Sequence, residues 1–193
     1  MRIGIDLDNT LADYRRPLEV LCAEHGLRGA HPDPKLALRD YLRSAGREEE
    51  WTRLQGELYG PLMNHALLFE GANEFFSRCH LQGASCHIVS HRTRKPISGG
   101  DHDLHEAARL WLVRQGLSGI TAYFEETKRQ KIERIGALDL DVFIDDLPEI
   151  LSDPHFPAGT RGILFDPGDR HTDHVGYSRV QRWTAVQNAV FAE

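Results

Sequence analysis

The chain has 193 residues, with 23 Lys and Arg against 29 Asp and Glu and a formal net charge of −6. That length carries one domain, or one domain with a sizeable insertion, and an acidic balance without a basic run argues against nucleic acid as a partner. Hydrophobic residues at 40% and a mean hydropathy of −0.45 describe a water-soluble globular chain with no apolar run near the roughly 20 residues that span a bilayer. The cysteines, Cys22, Cys79 and Cys86, form no CxxC pair. With no signal-peptide pattern at the start, the expectation is a reduced, cytoplasmic setting and no membrane partner.

Arg2 to Ile5 reads as a short buried strand that runs straight into Asp6 and Asp8. Neighbouring side chains on an extended chain point to opposite faces, so these two acids share one. Asn9 and Thr10 are turn and cap formers. Tyr14 to His25 follows as a helix with Leu18, Leu21 and Cys22 on one side, ended by Gly26. His31-Pro32-Asp33-Pro34 is a loop. Helical spacing continues over Lys35 to Ser44 (Leu36, Leu38, Leu42) and Arg47 to Leu58 (Trp51, Leu54, Leu58), until Gly60-Pro61 breaks it. Residues 15–68 therefore read as a small helical insertion into a core made of 1–14 and 69–193.

Strand and helix then alternate. Gly71 to Leu81 is a helix, Ala84 to Val89 a strand ending at Ser90, and Leu104 to Gln115 a helix with Leu104, Ala108, Trp111 and Leu112 on one side. Ile120 to Phe124 is a strand, Lys128 to Leu138 a helix, and Val142 to Ile144 a strand ending at Asp145-Asp146. A strand over Arg161 to Phe165 and a helix over Thr184 to Phe191 close the chain. Such alternation predicts an α/β fold, a Rossmann-like parallel sheet sandwiched by helices.

In a parallel sheet the carboxyl ends of the strands share one edge, where open α/β sheets bind ligands. Asp6, Asp8, Ser90, Asp145 and Asp146 all fall at such ends. Two carboxylates 4 Å apart repel by about 1 kcal/mol in water and about 4 kcal/mol at an effective dielectric of 20. A cation is the natural compensation, and Mg²⁺ suits a set of oxygen ligands. Lys128 and Lys131 stand where a helix would bring a further positive charge. Each piece also has a plain structural reading. Asp145-Asp146 before Leu147-Pro148-Glu149 also reads as the cap of a helix with Pro in its first turn. The segment from His91 to Gly100, with Arg92, Arg94 and Lys95, leaves Ser90 at the same edge. Arg92 or Lys95 is a candidate contact for the part of a substrate beyond its phosphate, and a surface loop is the other reading.

Taken in order, Asp6-Leu7-Asp8-Asn9-Thr10, Ile88-Val89-Ser90, Lys131 and Phe143-Ile144-Asp145-Asp146 resemble the motifs of the haloacid dehalogenase (HAD)-like hydrolases. The resemblance runs across most of the chain, and residues 15–68 resemble the helical cap of that family. The segment from Phe124 to Glu149 is similar to small members and to the 5′-nucleotidase-like branch. The resemblance implies a Mg²⁺-dependent phosphatase acting on a small phosphate ester, a nucleotide or a sugar phosphate. Asp6 would be the nucleophile that becomes an aspartyl-phosphate. Asp8 would protonate the leaving oxygen and then activate water. Ser90 and Lys131 would hold and neutralise the phosphoryl group, with His91 and Arg92 as further substrate contacts. Asp6, Asp8 through its carbonyl, and Asp146 supported by Asp145 would hold the metal, the division between Asp145 and Asp146 being open. An acid at position 8 favours a phosphatase over a dehalogenase. A binding or regulatory module that kept this fold without turnover is the alternative.

Overall fold

Residues 1–27 and 33–191 are described by a computed structural model; His31 and Pro32 of the expected loop lie outside them. In chain order the elements begin with β1 (Arg2–Ile5), β2 (Ala12–Asp13), α1 (Arg15–Glu24), α2 (Pro34–Ser44) and α3 (Glu48–Tyr59). A 3-10 turn (Pro61–His65), β3 (Leu67–Leu68), α4 (Ala72–Leu81), β4 (Ser85–His91) and α5 (Leu104–Arg114) follow. The last are β5 (Thr121–Glu125), α6 (Lys128–Ala137), β6 (Val142–Asp145), α7 (Pro148–Leu151), β7 (Arg161–Phe165), β8 (Tyr177–Val180) and α8 (Trp183–Phe191).

The chain divides into two units, one of residues 1–12, 68–92 and 119–193, the other of 13–67 and 93–118. The first unit is the expected parallel α/β sheet. Its six strands lie in the order β5-β4-β1-β6-β7-β8, every neighbouring pair parallel. Strands β1, β6 and β7 are almost wholly buried, as sheets covered on both faces must be. One apolar cluster joins Val89, Ile132, Ile135, Phe143, Ile150 and Leu164. Gly4 lets the central strand pass this close. A Cβ there would stand 2.3 Å from Leu140 Cδ1 and 2.6 Å from Phe143 Cδ2. Trp183 pins α8 by packing on Phe75 and Phe165 at ring-centroid distances of 5.1 and 5.7 Å. Its indole N–H donates to the Thr10 carbonyl at 3.1 Å.

The second unit is helical. It buries Leu18, Leu21 and Cys22 of α1, Leu38 and Leu42 of α2, and Trp51, Leu54 and Leu58 of α3, the faces that helical spacing selects. Asp33 caps α2 by accepting from the Leu36 amide at 3.0 Å. This unit also takes in residues 93–118, which the reading of the sequence assigned to the core. The physical reason is packing. Trp111 of α5 donates its indole N–H to the Ala66 carbonyl at 2.9 Å, and Gly56 of α3 leaves room for Pro96 and Ser98.

Candidate active site

Strand β1 lies between β4 and β6. After β1 the sheet grows first through β4 to one side and later through β6 to the other, so the carboxyl ends of three adjacent strands meet at a switch point. Asp6, Asp8, Ser90, Arg92, Lys131, Asp145 and Asp146 all belong to the sheet unit. Asp6 follows β1 directly, and its amide continues the ladder by donating to the Ile144 carbonyl at 2.8 Å. The chain then reverses. Asn9 has φ of 63°, a conformation that Asn tolerates better than most residues, and the amides of Leu11 and Ala12 both donate to the Leu7 carbonyl.

Lys131 is the centre of the charge arrangement. Thr127 and Gln130 form a reciprocal capping box that starts α6. Lys131 follows on the buried face with Ile132 and Ile135. Its ammonium stands 2.6 Å from Asp6 Oδ1 and 2.6 Å from Asp145 Oδ2. The other candidate, Lys128, is exposed and pairs with Glu149 at 2.8 Å. Asp6, Lys131 and Asp145 are 4%, 1% and 0% exposed. A buried charge of this kind persists only when it is paired.

One ammonium shared by two buried carboxylates leaves negative charge in excess. Burial raises the Asp6 carboxyl to about 7; Lys131 opposes the rise, while Asp145 and Asp8 add to it. Burial likewise raises Asp145, against the pull of Lys131. Lys131 is itself raised, since Asp145 and Asp6 outweigh its desolvation. Asp146, 8% exposed, completes the group. Asp6, Asp145 and Asp146 each offer an oxygen within 4.8 Å of the others, the one such grouping of three or more metal-ligating side chains among the described residues. Hard oxygen donors with surplus negative charge fit a divalent cation of the Mg²⁺ type. Asp145 also accepts from the Leu147 amide at 3.0 Å, next to Pro148 in the first turn of α7. A short helix does begin here, but Leu147 is its N-cap and no side chain caps it, so Asp145 and Asp146 are not its caps.

Ser90, near the end of β4, is 1% exposed, and its hydroxyl has no hydrogen-bond partner among the described residues. Such a group costs about 1–3 kcal/mol when buried, and a ligand oxygen would satisfy it. The other expected contacts have protein partners. The His91 ring faces the Glu126 carbonyl at 3.2 Å, and burial lowers its pKa. Lys95 belongs to the helical unit, where it pairs with Asp101 at 2.6 Å. Arg92 engages Asp8, with Nη2 2.5 Å from Oδ1 and Nε 3.2 Å from Oδ2. Thr10, a turn and cap former by sequence and the last residue of the Asp6–Thr10 motif, donates its hydroxyl to Asp6 Oδ2 at 3.3 Å. The signal for Arg92 was in the spacing. One residue past the end of β4, with its amide still paired to the Glu125 carbonyl, it continues the alternation that sets it on the face of Ser90 and not of His91.

No family model matches the sequence, and no curated protein matches it significantly. Solved structures do match. The putative HAD-hydrolase YfnB of Bacillus subtilis, bound to magnesium, aligns over 100% of this chain and 98% of its own, with TM-score 0.61 and 14% identity. The D,D-heptose 1,7-bisphosphate phosphatase of Burkholderia thailandensis aligns over 100% and 99%, with TM-score 0.57 and 12% identity. A 2-haloacid dehalogenase of Pseudomonas syringae pv. tomato aligns over 98% and 97%, with TM-score 0.50 and 17% identity. At these identities the likeness is one of fold, and one fold serves both chemistries. From end to end, the fold of this chain is that of the HAD-superfamily hydrolases.

Proposed function

We propose that the chain is a Mg²⁺-dependent phosphomonoester hydrolase acting on a small phosphorylated metabolite, a nucleotide or a sugar phosphate. The observation that carries this reading is the buried Asp6–Lys131–Asp145 group at the switch point of the sheet, within reach of Asp146. The unpartnered hydroxyl of Ser90 supports it. So do the magnesium reported with YfnB and the phosphatase among the structural neighbours. The helical unit is the candidate cap.

In this reading Asp6 attacks phosphorus through a carboxylate oxygen, and the bond to the ester oxygen breaks. Asp8 gives its proton to the departing alkoxide. Water then attacks the aspartyl-phosphate and gives a proton to Asp8; the bond from phosphorus to Asp6 breaks, freeing inorganic phosphate and the carboxylate. Lys131 holds charge on Asp6 and on the phosphoryl group in place. Ser90 donates to a phosphoryl oxygen. Asp6, Asp146 and the Asp8 carbonyl would hold Mg²⁺, with Asp145 fixed beside them by Lys131 and the Leu147 amide. When bound, the metal neutralises phosphoryl oxygens.

Acid quenching during turnover of a phosphate ester tests the intermediate. Intact-mass measurement should find one added phosphoryl group on the wild type and none on Asp6→Asn. Equal labelling of both would place the nucleophile elsewhere.

A further inference from the structure

We propose that Arg92 is a positioning residue that holds the Asp8 carboxylate at two points and acts through it, not a contact for the substrate. The proposal rests on the reading of Asp8 as the proton-transfer group, and it assigns Arg92 a task different from the one its sequence suggests.

The guanidinium is anchored before it meets Asp8. The Arg92 amide donates to the Glu125 carbonyl at 2.9 Å, which extends the pairing of β4 with β5 by one residue. The side chain is 2% exposed, against 18% for that of Asp8. An arginine that binds substrate presents its fork to the space the substrate enters. Here Nε and Nη2 lie on the two oxygens of Asp8. The carboxylate is the more exposed member of the pair, and the guanidinium is the inner one.

Two-point contact does what a single charge cannot. It fixes the plane as well as the position of the ionised carboxylate, the form that takes the proton from water, because the guanidinium fork matches it in geometry; when Asp8 carries the proton on one oxygen, the guanidinium keeps the other. Asp8 lies past the end of β1, in an isolated bridge to Ala12 just before the turn at Asn9, so the ladder of the six-stranded sheet does not fix its carboxylate. Proton transfer depends on heavy-atom geometry, and a misplacement of about 1 Å can cost about 10²-fold in rate.

The test is a kinetic cycle on p-nitrophenyl phosphate and β-glycerophosphate with Mg²⁺, using wild type, Arg92→Ala, Asp8→Asn and the double variant. The expected result is a kcat of Arg92→Ala lower by about 10²-fold, with KM little changed. The loss should be larger for the alkyl ester, whose leaving oxygen needs the proton more. The double variant should be no slower than Asp8→Asn. Arg92→Lys keeps the charge without the fork and should also lose kcat at constant KM, and it stands in should Arg92→Ala not fold. A raised KM with kcat intact, equal losses on both esters, or a double variant slower by the product of the single effects would overturn the proposal and leave the phosphatase reading in place. A wild type that turns over no ester would overturn both.

Discussion

The ammonium of Lys131 stands 2.6 Å from Asp6 Oδ1 across 125 residues of sequence, and it is held equally close to Asp145. One buried cation thus ties the first strand of the sheet to the fourth in chain order of its main strands. Removing it strands two buried carboxylates. Lys131→Met should cost about 3–5 kcal/mol of folding stability, read by denaturant unfolding, and should abolish turnover. Lys128→Met should cost no more than about 1 kcal/mol, since its pair with Glu149 is exposed, and should keep turnover.

Metal binding should be visible without any reaction. A divalent cation that binds the folded chain alone stabilises it by mass action. Mg²⁺ should raise the melting temperature of the wild type in a concentration-dependent way, and EDTA should reverse the shift. Asp146→Asn should remove most of the response while leaving the cation-free melting temperature near that of the wild type.

Asp166, just past the end of β7, supplies a dependence on acid. Burial would raise its carboxyl, yet the amides of Arg170 and His171, at 3.0 and 2.9 Å, and Arg179 at 3.2 Å hold it below the ordinary carboxylate range. A folded pKa below the unfolded value of about 3.9 gives stability that is present above that value. The stability is lost as pH falls through the folded pKa. Asp166→Asn should therefore lower stability at pH 7 by about 1.5–3 kcal/mol, the worth of hydrogen bonds to a charged group. The gap from wild type should narrow as the pH falls below the unfolded value and through the lower folded one.

Gly56 tests the packing of the helical unit. In an open helix, Gly→Ala gains about 0.5–1 kcal/mol. A Cβ at this position would stand 2.4 Å from the Ser98 carbonyl oxygen and 2.8 Å from Pro96 Cβ. The neighbour is backbone, so Gly56→Ala should destabilise by about 1–3 kcal/mol, the range for overpacking. A thermal melt decides the sign.

Much of this was legible from residue patterns. Strands β1 and β7 lie where alternation and burial place them, and the apolar faces of α1, α3 and α5 are the buried ones. Asp6 and Lys131 come together because strand ends and a capped helix are local signals that a parallel sheet gathers at one edge. Periodicity states that α5 has a buried face but not what buries it. Its grouping with residues 13–67 therefore came from the structure. Strand β8 was missed because Tyr177-Ser178-Arg179-Val180 is a polar, half-buried edge strand, with neither alternation nor an apolar run to mark it. The partner of Arg92 was missed for a similar reason. Spacing gives the face of a strand, and it does not say which distant carboxylate waits there.

Release of inorganic phosphate from a panel of nucleotides, sugar phosphates and one aryl phosphate, with and without Mg²⁺, tests the central claim most directly when wild type and Asp6→Asn are compared. The account predicts Mg²⁺-dependent release by the wild type on at least one ester, and none by Asp6→Asn under the same conditions. Release that persists in Asp6→Asn, or no release from any ester by folded wild type that binds Mg²⁺, would contradict it.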